Sequence, residues 1–429
     1  MDDQGSEALT GFIGPSYSND ECSFNGKEKG EQESKNQNSG ESHFGISRVE
    51  YCEKILEELQ NGKIIDNNNN KISGCSWAKS TNAIVSEQNS TNTAEVLLAM
   101  LYSTSVISLN KIQDIEEDIN GAVQYLLNVQ CATGGWASSE FYTHHIGSVA
   151  YEIKGNLMAT AIVIWALTVY YCKYSKIRKK DINKLREAIS KSYGFIKNCK
   201  SHTEPINNEQ LTIYNYRSDD KISNISISTL IYALLALVQI DIVIDGGMCF
   251  SKNADSESIT KFTIQKEIGE ILRSLNKYIN EKHDNCGQYA LLFFILKKIK
   301  KYKIADGKQF NLLFDHCEEK IKSLCDNEYG EEISEERYTR EDPEARRTKF
   351  NYIMPFWVLI ACSYHERTEI DYKSKLYNYV LNASNNQMVY NKDKTKIWAL
   401  AQFLIAISIF QTTQPMYEVF NLGQNIVHQ

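Results

Sequence analysis

Proline is scarce in this chain. Five residues in 429 are proline, at Pro15, Pro205, Pro343, Pro355 and Pro415. Long stretches therefore lack the residue that most strongly breaks a helix. Cysteine occurs eleven times, yet Cys-x-x-Cys never appears. That excludes the usual zinc-ribbon and dithiol redox spacings. Met1-Asp2-Asp3 is not followed by a basic and then an apolar segment of the secretory kind, so reduced thiols and a cytoplasmic location are expected. A surplus of positive charge is missing too. Lys and Arg total 47 against 54 Asp and Glu, a net charge of −7, which argues against a general nucleic-acid binder. Long apolar runs are few. Residues 155–172 and 222–240 are uncharged but sit near the lower length limit for a bilayer span. Helices buried in a large core account for them more simply, so no transmembrane segment is expected.

What is present is hydrophobic periodicity. Residues 1–46 are rich in Gly, Ser, Asn, Glu and Lys and read as a disordered tail. From residue 47 to 429 one domain is expected, built from a two-helix unit that recurs every 50 to 70 residues or so. The half-apolar member of each pair covers 49–59, 115–127, 185–198, 264–279, 310–324 and 372–381. The member that is apolar almost all round covers 92–101, 156–171, 226–240, 288–299, 351–362 and 396–410. Pro355 falls in the first turn of the fifth such segment, where it is tolerated. A one-striped helix packs on one side only, whereas an all-apolar helix must be enclosed. Six such pairs predict an all-α fold, an α6/α6 toroid of six helical hairpins with the apolar helices inside. The connections from outer to inner helix are mostly the longer ones, and long loops at one end of a barrel are where function usually resides.

One motif stands out. Gln130-Cys131-Ala132-Thr133-Gly134-Gly135-Trp136 closes an outer segment and precedes an inner one. Its glycines permit a tight turn, its Trp can cover that turn, and its Gln amide can bond neighbouring helix ends. Gly74-Cys75-Ser76-Trp77 is a weaker copy. The Gln-Gly-Trp pattern resembles the repeat motif of the squalene and terpene cyclases. Protein prenyltransferase β chains carry a close variant. The resemblance covers residues 47–411 and implies the α/α toroid superfold of these families.

It also implies where catalytic groups would lie, and most are absent. A class II cyclase protonates its substrate with D-x-D-D-T at the head of a buried helix. The matching place here reads Asn89-Ser90-Thr91-Asn92-Thr93-Ala94, which holds no acid. Asp219 and Asp220 form the nearest acidic pair, ahead of the third inner helix. Prenyltransferases hold zinc with a D-x-C step and a later His. Asp284-Asn285-Cys286 supplies the step, so Asp284 is the third catalytic candidate, but the later His is not found. No cofactor is favoured. If zinc binds, Asp284 and Cys286 are its ligands.

Cations gather ahead of the last two inner helices: Arg346, Arg347 and Lys349, then Lys394 and Lys396. With helix N-termini they could grip a phosphate or diphosphate. Trp165, Trp357 and Trp398 on inner helices are candidate cavity aromatics, although helical spacing alone suits a core equally well. The basic runs 173–180 and 297–303 belong to the opposite end, as a solvated rim by default or a contact with anionic lipid. The pair His144 and His145 reads as a surface pair. The missing acids and third zinc ligand favour a binding or regulatory toroid for a small apolar or phosphorylated ligand, or for a protein partner at the long-loop face. A divergent isoprenoid enzyme acting on a prenyl diphosphate is the alternative, and a peripheral membrane protein the third reading.

Overall fold

The protein is described by a computed structural model that covers residues 48–65, 74–78, 88–137, 155–173, 179–203, 210–218, 226–250, 259–279, 286–326, 335–338, 347–350 and 397–411. Ten helices lie among these residues: α1 (Arg48–Asn61), α2 (Ser90–Ser103), α3 (Leu109–Asn128), α4 (Leu157–Lys173), α5 (Lys179–Cys199), α6 (Ile227–Asp245), α7 (Lys261–Tyr278), α8 (Cys286–Tyr302), α9 (Lys308–Asp326) and α10 (Ile397–Gln411). They coincide with the segments that periodicity marks out. The expected tail at 1–46, the fifth inner segment at 351–362 and the sixth outer one at 372–381 lie outside the described residues.

Helices α10, α2, α4, α6 and α8 pack side by side in that order and form the inner ring among the described residues. Helix α1 packs on α10 and α2, α3 on α2, α5 on α4 and α6, α7 on α6, and α9 on α8. Two concentric layers result. The inner helices are enclosed because their sequences leave no wet face: all fourteen residues of α2 are buried, as is every residue from Leu157 to Tyr170 of α4. The outer helices bury a stripe. In α3 it is Ile115, Asp118, Ile119, Ala122, Val123, Tyr125 and Leu126, the spacing of one helical face. Burying each such aliphatic side chain is worth roughly 1.5–3 kcal/mol, so the packing of faces, more than helix propensity, holds the rings together.

Helix α6 is long and apolar enough to cross a bilayer, but 89% of the relevant window is buried inside the fold, against α4, α5, α7 and α8. Its hydrophobicity is accounted for by its place in the inner ring.

The all-α expectation needs one qualification. Three outer-to-inner connections carry short antiparallel hairpins: β1 (Lys63–Ile65) with β2 (Cys75–Trp77), β3 (Lys200–His202) with β4 (Thr212–Tyr214), and β5 (Glu335–Tyr338) with β6 (Arg347–Phe350). Connections that lie over helix ends must satisfy their own backbone groups, and strand pairing does so. The runs are too short for an alternating pattern to announce them in the sequence.

The Gly–Trp turns are built alike in two successive repeats. Trp136 donates its indole N–H to Leu126 O at the end of α3 (2.7 Å) and its backbone N–H to Thr160 Oγ1 in α4 (3.0 Å). Trp77 does the same with Leu59 O of α1 (2.6 Å) and Thr93 Oγ1 of α2 (3.0 Å). Each Trp carbonyl then accepts the N–H of the asparagine that heads the inner helix, Asn156 or Asn89. Those asparagines cap the helix through their side chains, Asn156 Oδ1 to the Ala159 N–H and Asn89 Oδ1 to the Asn92 N–H. Asn89, at the place that compares with the cyclase acid motif, is therefore a helix cap. Gln130 Nε2 donates to Gly134 O (2.7 Å) and to Ala188 O of α5 (2.8 Å), tying one blade to the next.

Candidate functional site

Most of the expected site residues lie outside the described residues: Asp219, Asp220, Asp284, Arg346, Lys394, Lys396, Trp357, His144 and His145. Cys286 is the first residue of α8. Arg347 and Lys349 lie on β6, where the backbone register sets them opposite Tyr338 and Glu336. Among the described residues no group of three or more His, Cys, Asp or Glu could hold a metal ion. In α9, Cys317 is buried while His316 Nε2 meets Tyr289 OH at 3.4 Å, so neighbours in sequence diverge around the helix.

The chemistry that is described lies inside the ring. Trp165 of α4 stacks obliquely on Phe294 of α8, ring centroids 5.1 Å apart, although α6 stands between those helices in the ring. The two rings therefore meet across the interior. Tyr102 of α2 reaches Trp165 from a third helix, with centroids 6.4 Å apart. These three rings form an aromatic layer in the interior. Trp165 and Trp398 are both 1% exposed.

On the long-loop side of that layer sits a carboxyl that the sequence analysis did not single out. Glu95 of α2 is buried and accepts one hydrogen bond, from Gln402 Nε2 of α10, at 3.0 Å. Glu95 lies seven residues before Tyr102, about 10 Å along the helix axis. Burial raises its pKa to about 8, against a smaller lowering by the Gln402 bond. At neutral pH it is largely a neutral acid with an O–H to donate. Among the described residues its Oε2 has no hydrogen-bond partner, nor has Gln402 Oε1, nor Thr91 Oγ1 one turn earlier on α2. Trp398 stands one turn before Gln402 on α10. The signal for Glu95 was legible: it is the lone charge in the run from Thr91 to Ser103. That run was read as core, and a helix interior gives no sign of which helix faces it.

The raised pKa fixes a sign. An acid titrating higher in the folded than in the unfolded state contributes stability below its unfolded value, near 4.5, and loses that contribution as pH rises toward about 8. The Glu95→Gln variant is expected to show a flatter stability profile than the parent from pH ~5 to ~8 in chemical denaturation. Parallel profiles for the two proteins would contradict a buried neutral Glu95.

Beyond the aromatic layer the interior turns basic. Lys298 of α8 is buried, its Nζ lying over the rings of Phe294 at 4.9 Å and Trp165 at 5.4 Å. Lys301, one turn on, and Cys172 of α4 adjoin it. Lys173 bonds Leu101 O and Thr104 Oγ1, so it serves the C-terminal end of α2. The solvated rim expected at 173–180 and 297–303 is thus turned inward at Lys298, because α8 continues its inner face for four residues past Phe294. A separate groove of ≈ 480 Å³ lies on the outside, where Arg273, Asn276 and Lys277 of α7 face Gln309, Leu312 and His316 of α9.

No protein-family model matches this chain, and no curated protein matches it. Among solved structures it is similar to D-mannose isomerase, with TM-score 0.51, 11% sequence identity, 87% of this chain and 97% of that chain covered. It is also similar to a reducing-end-xylose releasing exo-oligoxylanase complexed with xylobiose, with TM-score 0.44, 10% identity, and 87% and 96% covered. At 11% identity the likeness to the isomerase shows the fold alone, an α/α toroid. It does not single out the terpenoid cyclases or prenyltransferases.

Proposed function

We propose that this protein is a ligand-binding α/α toroid whose interior, on the long-loop side, takes a small neutral molecule bearing hydroxyl groups. One observation carries the reading: the buried Glu95–Gln402 pair, in which Glu95 Oε2 and Gln402 Oε1 both lack a partner among the described residues. Leaving a buried polar atom unbonded costs about 1–3 kcal/mol, so two on one pair would be relieved by a guest that bonds both. The neutral carboxyl donates, the amide oxygen accepts, and Thr91 Oγ1 can do either. A hydroxylated ligand matches that set. Among the described residues no cation acts on Glu95, and Arg346, Lys394 and Lys396, the cations proposed to grip a phosphate, lie outside those residues. The isomerase's name, with its sugar substrate, supports the same ligand class by fold analogy alone.

Titration calorimetry with monosaccharides, polyols and a prenyl diphosphate tests the reading. Saturable binding of a hydroxylated ligand is expected, weakened about tenfold or more in Glu95→Ala, the loss of one buried hydrogen bond pair. Turnover of the prenyl diphosphate, or stoichiometric zinc in the purified protein, would instead establish the isoprenoid-enzyme reading, with Asp219, Asp220 or Asp284 as its acid or ligand. Flotation with anionic liposomes separates off the membrane-surface reading, and a pull-down with the long-loop face mutated addresses a protein partner.

A further inference from the structure

The end of the ring away from the Glu95 ledge, where inner helices finish and outer helices begin, carries a pattern of its own. Among the described residues five large apolar side chains are exposed: Val49, Ile65, Leu109, Phe262 and Leu312. Ile65 belongs to β1 in a long connection, and Leu312 lines the groove between α7 and α9. The other three open outer helices. Val49 is the second residue of α1, Leu109 the first of α3 and Phe262 the second of α7. Leu109 is 78% exposed and Phe262 77%, so neither contributes much to the core.

Hydrogen bonds run across this end and set those helix starts on one face. Glu53 of α1, one turn after Val49, accepts the N–H of Ser108, the N-cap of α3, at 2.9 Å. Lys173, the last residue of α4, donates to Leu101 O and Thr104 Oγ1 where α2 finishes. Tyr171 OH of α4 donates to Gly246 O where α6 finishes, at 3.2 Å. Lys261, the first residue of α7, pairs with Asp245, the last of α6. Val106, Ile107, Phe250 and Ile259, in the connections between these helices, are only partly buried.

The charge at this end is uneven. The chain as a whole carries −7, yet the α8–α9 sector presents Lys300, Lys303 and Lys308, all exposed, against the exposed Asp306. Asp245 is engaged by Lys261 and Glu53 by Ser108, and Glu50 is an exposed acid of the α1 sector. A lysine in the last turn of a helix suits the helix dipole, which accounts for Lys300. It does not account for Lys308, which opens α9 at the dipole's positive end. The sector of Phe262 adjoins that of the lysines, since α7 packs on α9 and α6 on α8.

A small ligand spans one sector of a ring, whereas a plane meets every sector of one end at once. Large apolar side chains interleaved with lysines fit the plane of a lipid bilayer, the former entering the acyl boundary and the latter reaching phosphate headgroups. We propose that this end of the toroid docks on an anionic lipid surface, with Phe262 and Leu109 as the inserted side chains and Lys300, Lys303 and Lys308 as the headgroup contacts. Docking there leaves the long-loop end, with the Glu95 ledge, facing away from the bilayer, so it accompanies ligand binding and does not replace it.

The test is co-flotation of the full chain with vesicles of phosphatidylcholine alone and of phosphatidylcholine with phosphatidylserine. Binding to the anionic vesicles is expected, weaker at high salt, with little binding to the neutral ones. Phe262→Ser is expected to weaken it about tenfold through lost apolar burial. Lys303→Gln and Lys308→Gln are each expected to weaken it about fivefold. Ile65→Ser, at the other end, is expected to change nothing, and the urea midpoints of the Phe262 and lysine variants are expected to match the parent because the altered side chains are exposed. Failure to float with anionic vesicles overturns the proposal, as does equal flotation of the parent and Phe262→Ser. Self-association in the absence of vesicles that Phe262→Ser abolishes would assign the face to a second copy of the chain and overturn it too. Ligand titration at the Glu95 ledge is expected to be the same for Phe262→Ser and the parent, so the two readings fail separately.

Discussion

Replacing Trp165 with alanine is expected to destabilise the fold by about 3–5 kcal/mol, the cost of deleting a fully buried large aromatic. The reason is its position. Trp165 meets Phe294 and Tyr102, so it links α2, α4 and α8 through the interior of the ring. Without the indole those helices face a void too well braced by the outer layer to collapse. Trp165→Phe keeps an aromatic face toward Phe294 and is expected to lose less than half as much. The measurement is the shift in urea midpoint at constant slope. A loss below about 1 kcal/mol for the alanine variant would mean that the interior is not filled by this ring.

The second large effect concerns the turns that join the rings. Gly134 has φ +92, and a Cβ there would stand 2.3 Å from Lys191 O in α5. Gly74 repeats the arrangement, with φ +123 and a Cβ 2.4 Å from Gly121 O in α3. Both strain and collision fall on backbone, which cannot swing aside. Gly134→Ala and Gly74→Ala are each expected to cost about 2–4 kcal/mol, from the left-handed conformation together with overpacking. Gly194, within α5, offers the control: nothing lies within 4 Å of its would-be Cβ. Gly194→Ala is expected to be neutral or to stabilise by up to about 1 kcal/mol, because alanine favours a helix interior. If all three variants behave alike in denaturation, the close approach of the turns to the next outer helix is not what the glycines are for.

These turns show how far a motif can be read. The Gly-Trp pattern at 130–136 was visible, and Gly74–Trp77 looked like a faded copy because it lacks the Gln. In space both Trp residues bond the preceding outer helix and the following inner helix through the same atoms. The partner that completes the motif is a threonine, Thr93 or Thr160, four residues after a capping asparagine. Its distance from the Trp differs between repeats, 16 residues in one and 24 in the other, so no fixed spacing exposes it.

The interior groups divide in the same way. Glu95 and Gln402 each interrupt an apolar segment, but nothing local pairs them, since Gln402 is 307 residues from Glu95 along the chain. Pairing them requires closure of the ring, which brings α10 against α2. Lys298 was assigned to a basic rim because it belongs to a run of lysines. The run is helical, however, and a helix turns one of every three or four members inward.

The amino-acid order by itself determined which segments are helices and which of them lie inside, because a helix with one apolar stripe and a helix without a wet face can be buried in only one way each. Tertiary structure alone decided which polar atoms meet in the interior, and that three outer-to-inner connections pair as hairpins. Those outcomes depend on contacts between residues far apart in the chain, and local periodicity carries no record of them.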